Sequence, residues 1–332
     1  MVSVLFAVLT ALSNGTASVF QRRAASTMAD SASMRVSLVA GLLRRKVWLA
    51  GICLVVVAGI CQAVALSTGP ISLVQPIFVI ELPATLLLAG VLLRRRLPAT
   101  TWAGVACVTV GLALGLGAAA PSAGSRTVRP EDWPFALIAI GALEALLIGL
   151  ALRRRGNPRA ALFGLAAACG YALTAALMKD AMARLADGVV QLLTAWQLYG
   201  TALAGVASLF LLQNAFQAGA LVASQPMLTL GDAILSTCLG VALFAETIRT
   251  GWWILPEVVG LTLIAIGCVV LARASAESGL ATAAGPATTP AAGTPATGHP
   301  VPGTPAPGSP ASAASRPEDE DGGRPGPPGA PS

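Results

Sequence analysis

Two stretches of the chain hold the side chains best suited to chemistry. The first, Gly69 to Pro98, carries Gln75, Pro76, Glu81 and Pro83 in an otherwise apolar run. The second, Gly219 to Ile248, carries Gln225, Pro226 and Asp232 in a run of the same kind. A carboxylate at membrane depth costs roughly 2.5–3.5 kcal/mol on insertion scales, so it needs a partner, a proton or a water-filled cavity. Glu81 and Asp232 lie near the middle of their runs, and Glu81 aligns with Gly231, one residue from Asp232. At nearly equal depth the two acids are candidates for a proton-coupling pair or a cation site in one shared cavity. The plain alternative is an acid hydrogen-bonded to a helix backbone or to a buried arginine. Whether a metal sits between them stays open. Proline removes a backbone donor and frees a carbonyl. Pro76, Pro226 and Pro83 are therefore expected to kink or break their helices. Freed carbonyls and the amides of Gln75 and Gln225 would then line a site, unless the prolines are packing kinks of the kind membrane helices tolerate.

Further candidates surround this pair. Glu144 lies mid-run in a separate apolar segment, where it would join the cavity or pair with an arginine. Glu246 closes the second stretch and reads as structural or gating; Glu257 follows Pro256 and reads as interfacial. Near the N-terminus, Ser13, Asn14, Gly15, Thr16 and Ser18 make one run unusually polar. Asn14 is a candidate lining residue, as are Tyr171 and Thr174 in a matching later stretch, although small polar residues also serve to bond helices together.

The elements that must position these residues follow from composition. The chain has 332 residues, 55% hydrophobic and 11% charged, where soluble domains carry about 25% charged residues. Mean hydropathy is +0.75. Nine runs are long enough to span a bilayer, near 2–20, 47–67, 70–93, 99–120, 134–152, 160–178, 189–212, 219–245 and 251–272. The expected fold is an all-α polytopic membrane helix bundle. The six cysteines fall inside these runs without a CxxC pair and read as small hydrophobes. The six tryptophans lie near run ends, as interfacial anchors do.

Loop charge sets the expected topology. Arg22, Arg23, Arg35, Arg44, Arg45 and Lys46 follow run one, Arg94 to Arg96 follow run three, and Arg153 to Arg155 and Arg159 follow run five. The intervening loops balance their charges, with Lys179 and Arg184 offset by Asp180 and Asp187. The positive-inside rule makes the three basic loops cytoplasmic, with the N-terminus outside and the C-terminus inside a cell membrane. From residue 274 the chain turns rich in Pro, Ala, Gly, Thr and Ser and ends near the acidic run Glu318 to Asp321. It reads as a disordered cytoplasmic tail, and His299, the sole histidine, lies within it.

The chain also repeats itself. LFAVLTALSNGTASVFQRRA from Leu5 resembles LFGLAAACGYALTAALMKDA from Leu162, Gln75-Pro76 returns as Gln225-Pro226, and Val110-Gly111-Leu112 returns as Val259-Gly260-Leu261. Residues 1–120 form a first four-span repeat, 121–158 a linking fifth span and 159–273 a second repeat. An offset of five spans inverts one copy relative to the other, the layout of many secondary transporters.

On these motifs the chain resembles the drug/metabolite transporter superfamily, in its EamA-like and NIPA-like magnesium transporter branches. ALSNGTASVFQRRA, Ala11 to Ala24, is similar to the NIPA-like first helix. Trp48-Leu49-Ala50-Gly51 and Leu73-Val74-Gln75-Pro76 resemble its Trp-x-x-Gly and Leu-Val-x-Pro. Phe244 to Thr247, followed by Val259-Gly260-Leu261, resembles the EamA hairpin. The resemblance implies a secondary active transporter of a small solute working by alternating access, with proton coupling as an option. A divalent-cation transporter is the alternative within the superfamily, and a non-transporting membrane scaffold with a partner-binding tail is the alternative outside it. No nucleophile–base pair, P-loop or metal-ligand cluster assembles from the sequence, so neither an enzyme nor a cofactor is expected. The expected partners are the lipid bilayer and a small-molecule or ion substrate, with a homodimer left open and nucleic acid excluded.

Overall fold

A chain at membrane depth has no water to satisfy its backbone, so apolar runs of about 20 residues close their hydrogen bonds within helices. The computed structural model describes residues 1–25, 46–92 and 97–277. The elements are α1 (Val2–Ala25), α2 (Lys46–Thr68), α3 (Ile71–Ile77), a 3-10 turn (Phe78–Ile80), α4 (Glu81–Leu92), α5 (Ala99–Ala119) and α6 (Asp132–Leu152). They continue with α7 (Asn157–Leu185), α8 (Val189–Thr194), α9 (Trp196–Ala218), α10 (Leu221–Phe244), a second 3-10 turn (Gly251–Trp253) and α11 (Ile254–Glu277). Nine helical spans among the described residues are long and apolar enough to cross a membrane. The fold is an all-α polytopic bundle. The arginines at positions 35, 44, 45 and 94–96, His299, the acidic run and the rest of the tail beyond Glu277 lie outside the described residues.

Helix α7 is the centre. Of its apolar window 61% is buried, against 17% for α9, because Gly164, Ala167, Ala168, Gly170, Ala172, Ala175 and Ala176 leave neighbouring helices room to approach. It packs against α2, α3, α6, α9 and α10. Around it the contacts come in matching sets: α1 with α2 as α7 with α9, and α1 with α4 as α7 with α10. Helix α3 lies on α10, and α5 crosses α11. At that last crossing the backbones touch. A methyl group on Gly111 would sit 2.7 Å from the Gly260 carbonyl oxygen and 2.9 Å from the Ile264 nitrogen. One on Gly260 would sit 2.6 Å from both the Gly111 oxygen and the Gly115 nitrogen.

Several boundaries differ from the sequence expectation, each for a physical reason. Helix α7 runs on to Leu185, so Lys179 and Asp180 are buried in its last turns and do not belong to a loop. The run expected at 189–212 breaks at Ala195, whose extended backbone (φ −73°, ψ 120°) separates α8 from α9. The last helix continues past 274 to Glu277. Trp133 is buried, and its ring meets Trp196 edge-on at 5.3 Å between centroids, so it is a packing residue and not an interfacial anchor.

The two Gln-Pro sites also part company. After Pro76 the helix tightens into the 3-10 turn and restarts at Glu81, whereas α10 runs through Pro226 without interruption. The expected break at Pro226 is absent. The difference lies at Pro83. It has no N–H to bond the Val79 carbonyl, and its ring crowds that carbonyl, so Val79 falls in the irregular turn and Pro83 sits in the first turn of α4. Seven residues after Pro226, α10 has Ala233 instead of a proline, and the helix continues.

Overpacking a tight contact typically costs about 1–3 kcal/mol. Gly260→Leu should therefore lower the thermal unfolding midpoint in detergent, while Gly141→Leu, where an added Cβ meets nothing within 4 Å, should leave it unchanged.

Candidate functional site

Glu81 sits at the start of α4, beside α1. The Asn14 amide donates to its Oε2 across a long 3.4 Å. Gly15 is what lets α1 come this close, since a Cβ there would lie 2.9 Å from the Thr85 hydroxyl oxygen and 3.4 Å from the Glu81 carbonyl. Thr85 anchors the turn by donating to that same carbonyl at 2.7 Å. Asp232 sits mid-helix on α10 and accepts a 3.1 Å bond from the Ser236 hydroxyl. Gly231 brings α10 onto α7, where an added Cβ would meet Leu165 at 2.6 Å and Ala168 at 2.9 Å. One turn beyond Ala168 stands Tyr171, within electrostatic reach of both the Glu81 and the Asp232 carboxylates.

Glu81, Asp232, Asn14 and Tyr171 thus converge, all half-buried. Neither acid is among the ion pairs of the described residues, which join Lys179 to Glu246 and Arg184 to Asp180. Carboxylates left without a charge partner are suited to holding protons or a cation. Among the described residues no group of three or more His, Cys, Asp and Glu side chains could hold a metal.

The other candidates lie elsewhere. Glu144, on α6, is half-buried and comes within electrostatic reach of Cys169. Thr174 donates to the Gly170 carbonyl at 2.7 Å and faces Gly205 of α9. Gln75 is buried in α3 beside Pro76. Gln225 is half-buried, and its carbonyl accepts the Thr229 hydroxyl at 2.9 Å. Pro83 and Pro226 are buried, and Pro76 is half-buried.

Sequence reasoning missed a second polar centre, at the end of the bundle where α3 begins. Glu246 is buried and accepts from the Ile71 N–H (2.7 Å), the Ser72 N–H (3.0 Å), the Ser72 hydroxyl (2.6 Å) and the Lys179 ammonium (2.5 Å). It therefore caps α3, whose first N–H groups have no partner within their own helix, and neutralises a buried lysine. Lys179 also stacks over the Phe244 ring, 4.5 Å from its centroid. Nearby, Asp180 accepts from the Val128 N–H (3.1 Å), the Trp133 indole (3.1 Å) and the Gln197 amide (2.9 Å). A single antiparallel bridge, Ser122 with Thr247, zips the loop after α5 to the loop after α10. Gly124 rests on the last carbonyls of α10, where a side chain would collide with Phe244 and Ala245. One sequence signal could have found this centre. Ala181 and Met182 carry the apolar run past the charges, and Asp180 and Arg184 have helical i,i+4 spacing.

Breaking a buried ion pair from one side costs about 3–5 kcal/mol. Glu246→Ala strands both Lys179 and the α3 N–H groups, whereas Lys179→Met leaves Glu246 with three donors. Thermal unfolding should find Glu246→Ala the more damaging, and Glu246→Gln in the Lys179→Met background should recover part of the loss.

No family model matches the chain, and no solved structure matches it. It is similar to an uncharacterised protein of Corynebacterium glutamicum, 27% identical over 280 residues, an alignment covering 83% of this chain and 96% of the relative.

Proposed function

We propose that the chain is a secondary transporter of the drug/metabolite class that moves a small solute across the cell membrane by alternating access, with Glu81 and Asp232 at its central site. The observation that carries this reading is the gathering of both acids around two side chains from matching spans. Asn14 bonds Glu81, Tyr171 lies within electrostatic reach of both Glu81 and Asp232, and the register that aligns Leu5 with Leu162 aligns Asn14 with Tyr171. Transporters built from inverted repeats bind substrate and coupling ion in this way, near the midplane between the copies.

The inverted repeat itself is supported by the α5–α11 crossing. Gly111 matches Gly260, and Gly115 matches Ile264 at the same offset. Gly111 approaches Gly260 and Ile264, while Gly260 approaches Gly111 and Gly115. That is the reciprocity of a two-fold contact, in which residue i meets j and j meets i. The α3–α10 contact joins matching spans in the same manner. With the basic loops in the cytoplasm, the end tied by Glu246 and Asp180 faces outside, and the carboxylates are approached from within. The uncompensated acids favour a cationic solute or an exchange of solute for protons.

Reconstituted vesicles test this. Proteoliposomes loaded with a pH-sensitive dye are challenged with methylamine, amino acids and magnesium in turn. At least one solute should move, coupled to protons or alone. A hydrogen bond to a charged group contributes about 1.5–3 kcal/mol, so Glu81→Gln and Asp232→Asn should each weaken binding roughly ten- to hundredfold. If no solute moves and both variants bind as the parent does, the reading fails.

A further inference from the structure

A cavity of about 240 Å³ lies between α3, α5, α10 and α11, apart from the central carboxylates. None of Glu81, Asp232, Asn14 and Tyr171 lines it. Its walls are almost wholly apolar, built from residues such as Leu112, Leu116, Ile234, Leu261 and Ile264, and one carboxylate, Glu257, stands among them. Drug-sized ligands occupy about 300–1,000 Å³, so the space fits something smaller. Ile234 and Cys238 line it and are exposed on the flank of the bundle, which opens the cavity toward the lipid.

The polar atoms in the wall narrow the chemistry. Ser72 donates its hydroxyl proton to Glu246 at 2.6 Å, and Thr237 donates its own to the Ala233 carbonyl at 2.7 Å. Both hydroxyls can then offer a ligand only lone pairs. Among the described residues the half-buried Glu257 carboxylate has no hydrogen-bond or ion-pair partner. The lining side chains therefore present acceptors and a carboxylate, with only the weak Cys238 thiol as a donor for an anion. A hydrophilic cation would forgo the apolar walls, and a lipid tail would leave the acid unanswered.

We infer that this cavity is a binding site for a small apolar amine in its protonated form, entering from the bilayer with its ammonium on Glu257 and its body against Leu112, Leu261 and Ile264. The inference does not depend on transport. Gly115 supplies a means of closing the site: it lines the cavity, and a Cβ added there meets nothing within 4 Å.

The full chain in nanodiscs is titrated calorimetrically with benzylammonium and with benzyl alcohol, its neutral analogue of similar size. Benzylammonium should bind at least tenfold more tightly than the alcohol. Glu257→Gln and Gly115→Leu should each reduce that affinity at least tenfold, while Glu131→Gln, exposed and away from the cavity, leaves it unchanged. Equal binding of the two probes, or no binding of benzylammonium, overturns the proposal. So does loss of binding in Glu81→Gln alone, which would assign the amine to the central site. Should a variant fail to fold, the parent still decides. Benzylammonium should slow maleimide labelling of Cys238, read by peptide mass spectrometry, and an unchanged rate counts against the site.

Discussion

Every backbone N–H and C=O at membrane depth must find its partner inside the protein. The structure meets this demand at its hardest point, the start of α3, through one side chain from a distant part of the chain. Pro70 turns the backbone into α3, and the Ile71 and Ser72 N–H groups would otherwise be orphans. Glu246 takes both, together with the Lys179 charge. A single carboxylate thereby fixes α3, α7 and the end of α10 to one another. The cost of burying it is offset only because each lone pair is used, so the arrangement tolerates little displacement.

This anchoring divides the bundle into unlike halves. At the Glu246 end the Asp180 cluster and the Ser122–Thr247 bridge add further ties. Around Glu81 and Asp232 the bonds among the described residues are few and long: 3.4 Å from Asn14 to Glu81 and one hydroxyl on Asp232. Ligand-binding elements are drawn from the loosely tied parts of a fold, because binding requires rearrangement. The ties thus gather at one end of the bundle, while bonding around the acids is sparse. The two close glycine approaches, Gly15 on Thr85 and Gly231 on Leu165 and Ala168, seat α4 against α1 and α10 against α7 without bonding the acids tightly.

Much of this was legible in the sequence, and the residues say why. Span number follows from apolar length, and the acids stand out because they are costly in such runs. The Lys179–Glu246 pair was not legible. Lys179 and Asp180 look like loop charges until Glu246 just past α10, Val128 and Trp133 around the start of α6, and Gln197 of α9 offset the cost of burying them, and most of these partners are distant in sequence. Local propensity likewise could not distinguish Pro76 from Pro226, since the outcome depends on Pro83 seven residues on. The break at Ala195 has a similar origin, for it lets Trp196 meet Trp133 and Gln197 reach Asp180. Tyr171 was recognisable as a candidate through the repeat, whereas Thr174, three residues along the same helix, faces α9 instead.

The central claim is that Glu81 and Asp232 share one cavity, closed at the end that Glu246 ties. The most direct measurement places a lone cysteine at position 171 in a cysteine-free background and labels it with a membrane-impermeant maleimide in vesicles of known orientation. The account predicts labelling from the cytoplasmic side alone in the parent, and from both sides once Glu246→Gln loosens the outer end. Labelling from outside in the parent, or from neither side in both proteins, would contradict it.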